Sequence, residues 1–283
     1  KCVNINTFFG DMEIKRCPSC GESECLTKVQ KTIRKNDGII PFKITHEVAG
    51  TKLKEWIKTR KLAPNDFKQL CTTGKTTGLY FPTYIFDANG GYSFHGTVQY
   101  SQTVRSSDGT TRTNTYTRPF SGSKSWAKNN YLISASKTIN DDIIKSLGDF
   151  NVDQLLKYEL PLVAGFPTNE ADIPIALANA KFHRYLQSEF EREARSTVSG
   201  GSVISLSLTH NTHNETYQLA LLPIWATYYT YKGKNFNCYI NGHSGKVAGK
   251  HPKSFWKIFF RCAGFFIVTG GIAIAVAKML GYW

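Results

Sequence analysis

Four of the chain's seven cysteines fall within its first 25 residues, at Cys2, Cys17, Cys20 and Cys25. Cys17-Pro18-Ser19-Cys20-Gly21 has the form of a zinc knuckle: a tight turn brings two thiolates to one ion and the following glycine relieves the backbone. Structural zinc sites close with four ligands. Cys2 sits where a second hairpin's cysteine is expected, with its own partner upstream of Lys1 or supplied by Cys25. Cys-x-x-Cys also serves thiol exchange, but nothing here resembles a thioredoxin-like helix start. A closed four-thiolate site stabilises a small fold and performs no chemistry.

Other candidate chemistry is incomplete. Gly74-Lys75-Thr76 ends like a phosphate-binding loop, but the glycine required five residues earlier is Gln69. His210 and His213, with Glu215 following, read as exposed turn residues without a full coordination set. Asp141, Asp142 and Asp172 are placed to charge or cap helix starts. No Gly-x-Ser-x-Gly elbow or His-Glu-x-x-His helix is present. The expectation is a protein that is not an enzyme and has no small-molecule substrate.

The elements that position these residues are read from periodicity. Ala49, Leu53, Trp56 and Ile57 recur at helical spacing, with Lys52, Lys54, Lys58 and Arg60 on a basic face, and Asp66 to Cys71 adds a turn or two. From Thr77 to Ser134 the pattern becomes strands, at Leu79–Phe86, Tyr92–Tyr100, Tyr116–Phe120 and Tyr131–Ile133. Turns are expected at Gly90-Gly91 and Ser107-Asp108-Gly109. Helices follow at Asp141–Leu147, Val152–Tyr158 and about Glu170–Thr197, the last stacking Phe182, Leu186 and Phe190 on one face and closing at Gly200-Gly201. Further strands are expected at Val203–Leu208, Tyr217–Pro223, Trp225–Tyr231 and Asn235–Tyr239. This order predicts an α+β fold in which helices cover a mainly antiparallel sheet.

The tail differs from the rest. Cys262 to Ala277 carries no charge, and as a helix it covers about 24 Å of a hydrocarbon core of about 30 Å. Phe255, Trp256, Phe259, Phe260, Tyr282 and Trp283 flank it, and Lys257, Arg261 and Lys278 can snorkel outward. The reading is a C-terminal transmembrane helix. Lys250, Lys253, Lys257 and Arg261 precede the span, so the bulk is expected on the cytoplasmic, or equivalent organellar inner, side of a single-pass membrane protein. The domains are then a zinc-ribbon-like segment at 1–37, a central α+β domain at 38–250 and a transmembrane helix at 255–283. The net charge of +14 points to an anionic partner, with lipid headgroups ahead of nucleic acid. The scarcity and uneven placing of cysteines argue against a disulfide scaffold.

Several phrases occur in an order that resembles a known group: Cys-Pro-Ser-Cys-Gly from Cys17, Ile39-Ile40-Pro41-Phe42-Lys43, Ala63-Pro64 with Phe67, Gly78-Leu79-Tyr80-Phe81-Pro82-Thr83-Tyr84, Leu162-Val163-Ala164-Gly165-Phe166, Leu221-Leu222-Pro223-Ile224-Trp225, and Asn241-Gly242-His243-Ser244-Gly245-Lys246-Val247. Together, from about Cys2 through Gly249, they resemble bacterial TFIIB-type zinc-ribbon-containing membrane proteins. The resemblance implies ribbon, α+β domain and membrane segment, with Cys17, Cys20 and Cys2 as zinc ligands. It also implies an adaptor beside phage-shock-type membrane-stress proteins or flotillin-like scaffolds. Expected alternatives are an accessory structural subunit of a larger membrane complex and a nucleic-acid-binding zinc-ribbon protein.

Overall fold

The structure, a computed structural model, describes residues 6–7, 36–73, 76–105, 111–148 and 150–261. The helices are α1 (His46–Lys58), α2 (Asn65–Thr73), α3 (Asp141–Leu147), α4 (Leu160–Val163) and α5 (Ile175–Ser196). The strands are β1 (Asn6–Thr7), β2 (Gly38–Ile39), β3 (Thr76–Arg105), β4 (Thr111–Ser134), β5 (Leu156–Lys157), β6 (Thr168–Asn169), β7 (Ser202–Tyr231), β8 (Lys234–Asn241) and β9 (Val247–Gly249). All the described strands join one nine-stranded sheet whose long pairings are antiparallel, with short parallel pairings of β2 to β7 and β3 to β6. The fold is mixed α/β and dominated by this sheet.

Its backbone is a ladder of β4, β3 and β7. β3 and β7 each run for 30 residues and pair from Thr76↔Thr227 to Gln99↔Ser202, while β4 pairs along the other side of β3 to Arg105↔Thr111. Gly90-Gly91 therefore lies inside a strand, not at the expected turn. A Cβ at Gly90 would stand 2.1 Å from the Asn211 carbonyl oxygen. The glycine serves close backbone approach beside the bulge between Asp87 and Asn89. The strands expected separately at Val203–Leu208, Tyr217–Pro223 and Trp225–Tyr231 are likewise one strand, bulged where a turn was expected. Of the helix expected at Val152–Tyr158 only a 3-10 turn, Val152–Gln154, forms before β5.

Period-two alternation on β3 divides the ladder. Tyr84, Phe86, Ala88, Tyr92 and Phe94 face α5, whose Ala178, Phe182, Leu186, Phe190 and Ala194 form the matching stripe. Phe86 stacks on Phe182 at 4.9 Å between ring centroids and Tyr131 on Tyr185 at 4.2 Å. Ion pairs Lys128–Glu189 (3.2 Å) and Lys181–Asp141 (2.9 Å) border that seam. At the proximal end α1 buries Ala49, Leu53 and Ile57 with Phe67 of α2 against Trp225, Tyr229 and Ile240. Thr45 caps α1, and its lysines at 52, 54 and 58 are solvated. On the opposite face α3 brings Ile144 and Leu147 onto Leu79, Phe81, Leu222 and Ile224.

Two parts of the expected architecture are corrected. Among the described residues no helix is long and apolar enough to cross a membrane, so the C-terminal transmembrane helix and the single-pass placement drop out of the description. Residues 255–261 are helical, but Lys257, expected to snorkel toward lipid headgroups, is bonded to the protein body instead. The uncharged run from Cys262 lies outside the described residues. Among the described residues no group of three or more His, Cys, Asp or Glu side chains converges to hold a metal ion, so the zinc ribbon is not part of the fold described. Cys2, Cys17, Cys20 and Cys25 lie outside the described residues, and Cys238 is a buried thiol of the α1–α2 core, its Sγ 4.0 Å from the Lys250 carbonyl oxygen.

Candidate functional site: an aromatic and basic ridge

The ridge is built from the chain after β9. Ser254 N–H donates to the Leu62 carbonyl at 2.8 Å, and Ile258 N–H donates to the Ser254 carbonyl at 3.1 Å, starting the helical turn. Lys257 Nζ then donates to the Ala63 carbonyl at 2.7 Å and to Asn65 Oδ1 at 2.8 Å. One lysine thus holds this turn against the α1–α2 connection. With that side committed inward, four aromatics are turned out: Phe255 is 71% exposed, Trp256 65%, Phe259 51% and Phe260 66%. At four-residue spacing they pair on the helix surface, Phe255 with Phe259 and Trp256 with Phe260, their centroids 6.4 and 6.1 Å apart. A soluble surface rarely gathers so much aromatic area unless it meets something.

Beside the ridge runs a groove of about 640 Å³ between the start of α2, the β7–β8 turn and residues 252–257. Lys232, Lys234, Lys253 and Lys257 line it, with Asp66 as its carboxylate. Asp66 accepts the Tyr231 hydroxyl at 2.7 Å. That bond holds the Asp66 carboxyl below its usual range and raises the Tyr231 phenol. The Arg60 guanidinium lies 4.6 Å from the Trp56 ring centroid, and His251 meets the same ring edge-on at 5.9 Å. Burial, then the charges of Arg60 and Lys253, keep His251 below the ordinary imidazole value. The arrangement offers cations and aromatic faces.

The histidines suspected from sequence lie elsewhere. His210 and His213 sit in β7, not in a turn. His210 is part-buried beneath α5, where its ring stands 6.0 Å from that of His183. His183 Nε2 lies 3.0 Å from Glu215 Oε2, and Asn179 Nδ2 donates to the other Glu215 oxygen. His183 was not legible as a partner because it comes from α5, and only the packing of α5 on β7 brings the two together. His213 is exposed opposite Asn89 and does not join them. The suspected acids are structural. Asp141 accepts Ser134 N–H and pairs with Lys181, Asp172 accepts Lys137 N–H, and Asn140 caps α3.

A second surface is the distal half of the sheet face opposite α5. Ser93 and His95 of β3, Ser121, Ser123 and Ser125 of β4, and Ser205, Ser207, Thr209 and Asn211 of β7 are exposed there. Register places them side by side. Two shallow depressions of about 560 and 450 Å³ run along this hydroxyl-rich face.

The chain is similar to the uncharacterized protein YdjG of Bacillus subtilis (strain 168), with 25% identity over 250 residues that span 86% of this chain and 71% of the relative. No family model and no solved structure matches.

Proposed function

We propose that the chain is a non-enzymatic adaptor that docks on an anionic lipid surface through its aromatic and basic ridge and presents its long sheet to protein partners. The observation that carries the reading is the juxtaposition of Phe255, Trp256, Phe259 and Phe260, all more than half exposed, with the lysines of the adjoining groove. Aromatic rings seat at the headgroup level of a bilayer, and each lysine or arginine near an anionic leaflet adds about 1 kcal/mol. The net charge of +14 steers the whole molecule toward such a surface. The open, hydroxyl-rich half of the sheet is then free to meet other chains.

The test is co-sedimentation of the full chain with vesicles of phosphatidylcholine, with and without phosphatidylglycerol. Binding is expected to need the anionic lipid, to weaken with added salt, and to fall at least about tenfold when Phe255, Trp256, Phe259 and Phe260 are replaced together by serine. Equal binding by that variant would sink the reading.

A further inference from the structure

The two free edges of the ladder are built differently. β4, on one side, carries Arg112, Arg118, Lys124 and Lys128 and contains Pro119. These are the devices that blunt an edge against pairing with another strand. On the other side β7 pairs with β2 at Ala220 and Leu221 and with β8 from Ile224 onward. From Ser202 to Thr212 no described strand pairs with its outer edge. That stretch, Ser202-Val203-Ile204-Ser205-Leu206-Ser207-Leu208-Thr209-His210-Asn211-Thr212, contains no Lys, Arg, Asp, Glu or Pro. From Ser205 onward it alternates regularly, Leu206 and Leu208 toward α5 and Ser205, Ser207 and Thr209 toward solvent. Ile204, the extra residue of the bulge between Thr97 and Val98, is 55% exposed on this strand.

We infer that this edge pairs with the same edge of a second copy of the chain, antiparallel about a two-fold axis normal to the sheet. The occupant follows from charge. Two molecules of net charge +14 repel wherever their lysines and arginines meet, and a strand without charges is where two copies can approach. A strand paired antiparallel with itself is self-complementary, the condition for a closed isologous dimer. Bonding the free backbone groups of Ser202–Thr212 to their copies would join the three-stranded ladders into one six-stranded sheet. Both hydroxyl-rich faces would then share one side. The contact is distinct from the ridge and needs no lipid.

Size-exclusion chromatography with light scattering on the full chain, without vesicles, reads this directly. The expected mass is about twice 31.8 kDa. Changing Ser205, Ser207 and Thr209 together to lysine places like charges across the two-fold and is expected to raise the dimer dissociation constant about 100-fold. These side chains are exposed on the open face, so far-ultraviolet circular dichroism and Tm should be retained. Changing Ser121 and Ser123 of β4 to lysine alters the same face near the other edge and should leave the dimer intact. A wild-type monomer at all concentrations, a dimer indifferent to the β7 lysines, or equal disruption by the β4 lysines would each overturn the inference.

Discussion

Tyr92 of β3 and Phe190 of α5 stack with ring centroids 4.4 Å apart and planes 11° from parallel, both buried to within 4% of their surface. They tie the distal half of the helix to the middle of the long ladder, and Trp126 of β4 meets the same phenylalanine at 5.2 Å. Truncating Phe190 to alanine leaves a cavity against two strands at once. Phe190→Ala is expected to cost about 3–5 kcal/mol, read as a lower urea midpoint at unchanged slope.

Two glycines should respond in opposite ways to the same substitution. Gly90→Ala drives a methyl into the Asn211 carbonyl 2.1 Å away and should destabilise by about 2 kcal/mol or more. Gly50, inside α1, has nothing within 4 Å of its missing Cβ, so Gly50→Ala should stabilise by about 0.5–1 kcal/mol. Thermal unfolding of both variants checks the pair, and a tolerated Gly90→Ala would mean the bulge is not held as described.

The turn at 255–261 depends on Lys257. Replacing it with methionine keeps the stem and removes two hydrogen bonds from the ammonium group, for about 1–2 kcal/mol of local stability. Hydrogen exchange should accelerate at residues 254–261 and stay unchanged in α5. Vesicle binding should weaken less than when the four aromatics are lost, because the rings remain.

A buried tyrosine and a part-buried histidine set opposite ends of the pH profile. Burial pushes the Tyr80 phenol up to about 12, above its unfolded value of about 10. Its contribution is complete below the unfolded value and is lost as pH rises through the folded one. Burial first, and then His183, lowers the His210 imidazole. Its contribution is present above the ordinary histidine value of about 6.5 and is lost as pH falls toward the folded one, because the unfolded chain takes the proton first. Tyr80→Phe should flatten the alkaline limb of Tm against pH, and His210→Gln the limb below the ordinary histidine value of about 6.5.

Local pattern was enough for some elements. The stripe Phe182, Leu186, Phe190 announces α5, and Ala49, Leu53 and Ile57 announce α1; the long helix ends at Ser196 with Thr197 as its cap, shortly before the glycine pair expected to close it. Each of these signals is complete within a few turns of chain. The strands were legible as strands but not as long ones, because Gly90-Gly91 in a polar setting has the composition of a turn. Only the Asn211 carbonyl, brought up from more than a hundred residues away, makes glycine the residue that fits mid-strand. For the same reason the residues around His210 have the composition of an exposed turn, and nothing near them in the sequence points to His183.

What the sequence determined by itself is therefore what neighbours along the chain can decide: that the α1 and α5 segments are helical and the ladder segments extended, which face of α5 is apolar, and that the molecule is strongly basic. The tertiary structure decided the rest. It merged the strand fragments into one bulged ladder, drew Lys257 inward so that Phe255, Trp256, Phe259 and Phe260 face out, and left one ladder edge guarded by charges and proline and the other, among the described residues, without a paired strand along Ser202–Thr212. Those outcomes depend on which distant backbone or side chain arrives at a given place, and that is fixed by packing and register, not by local propensity.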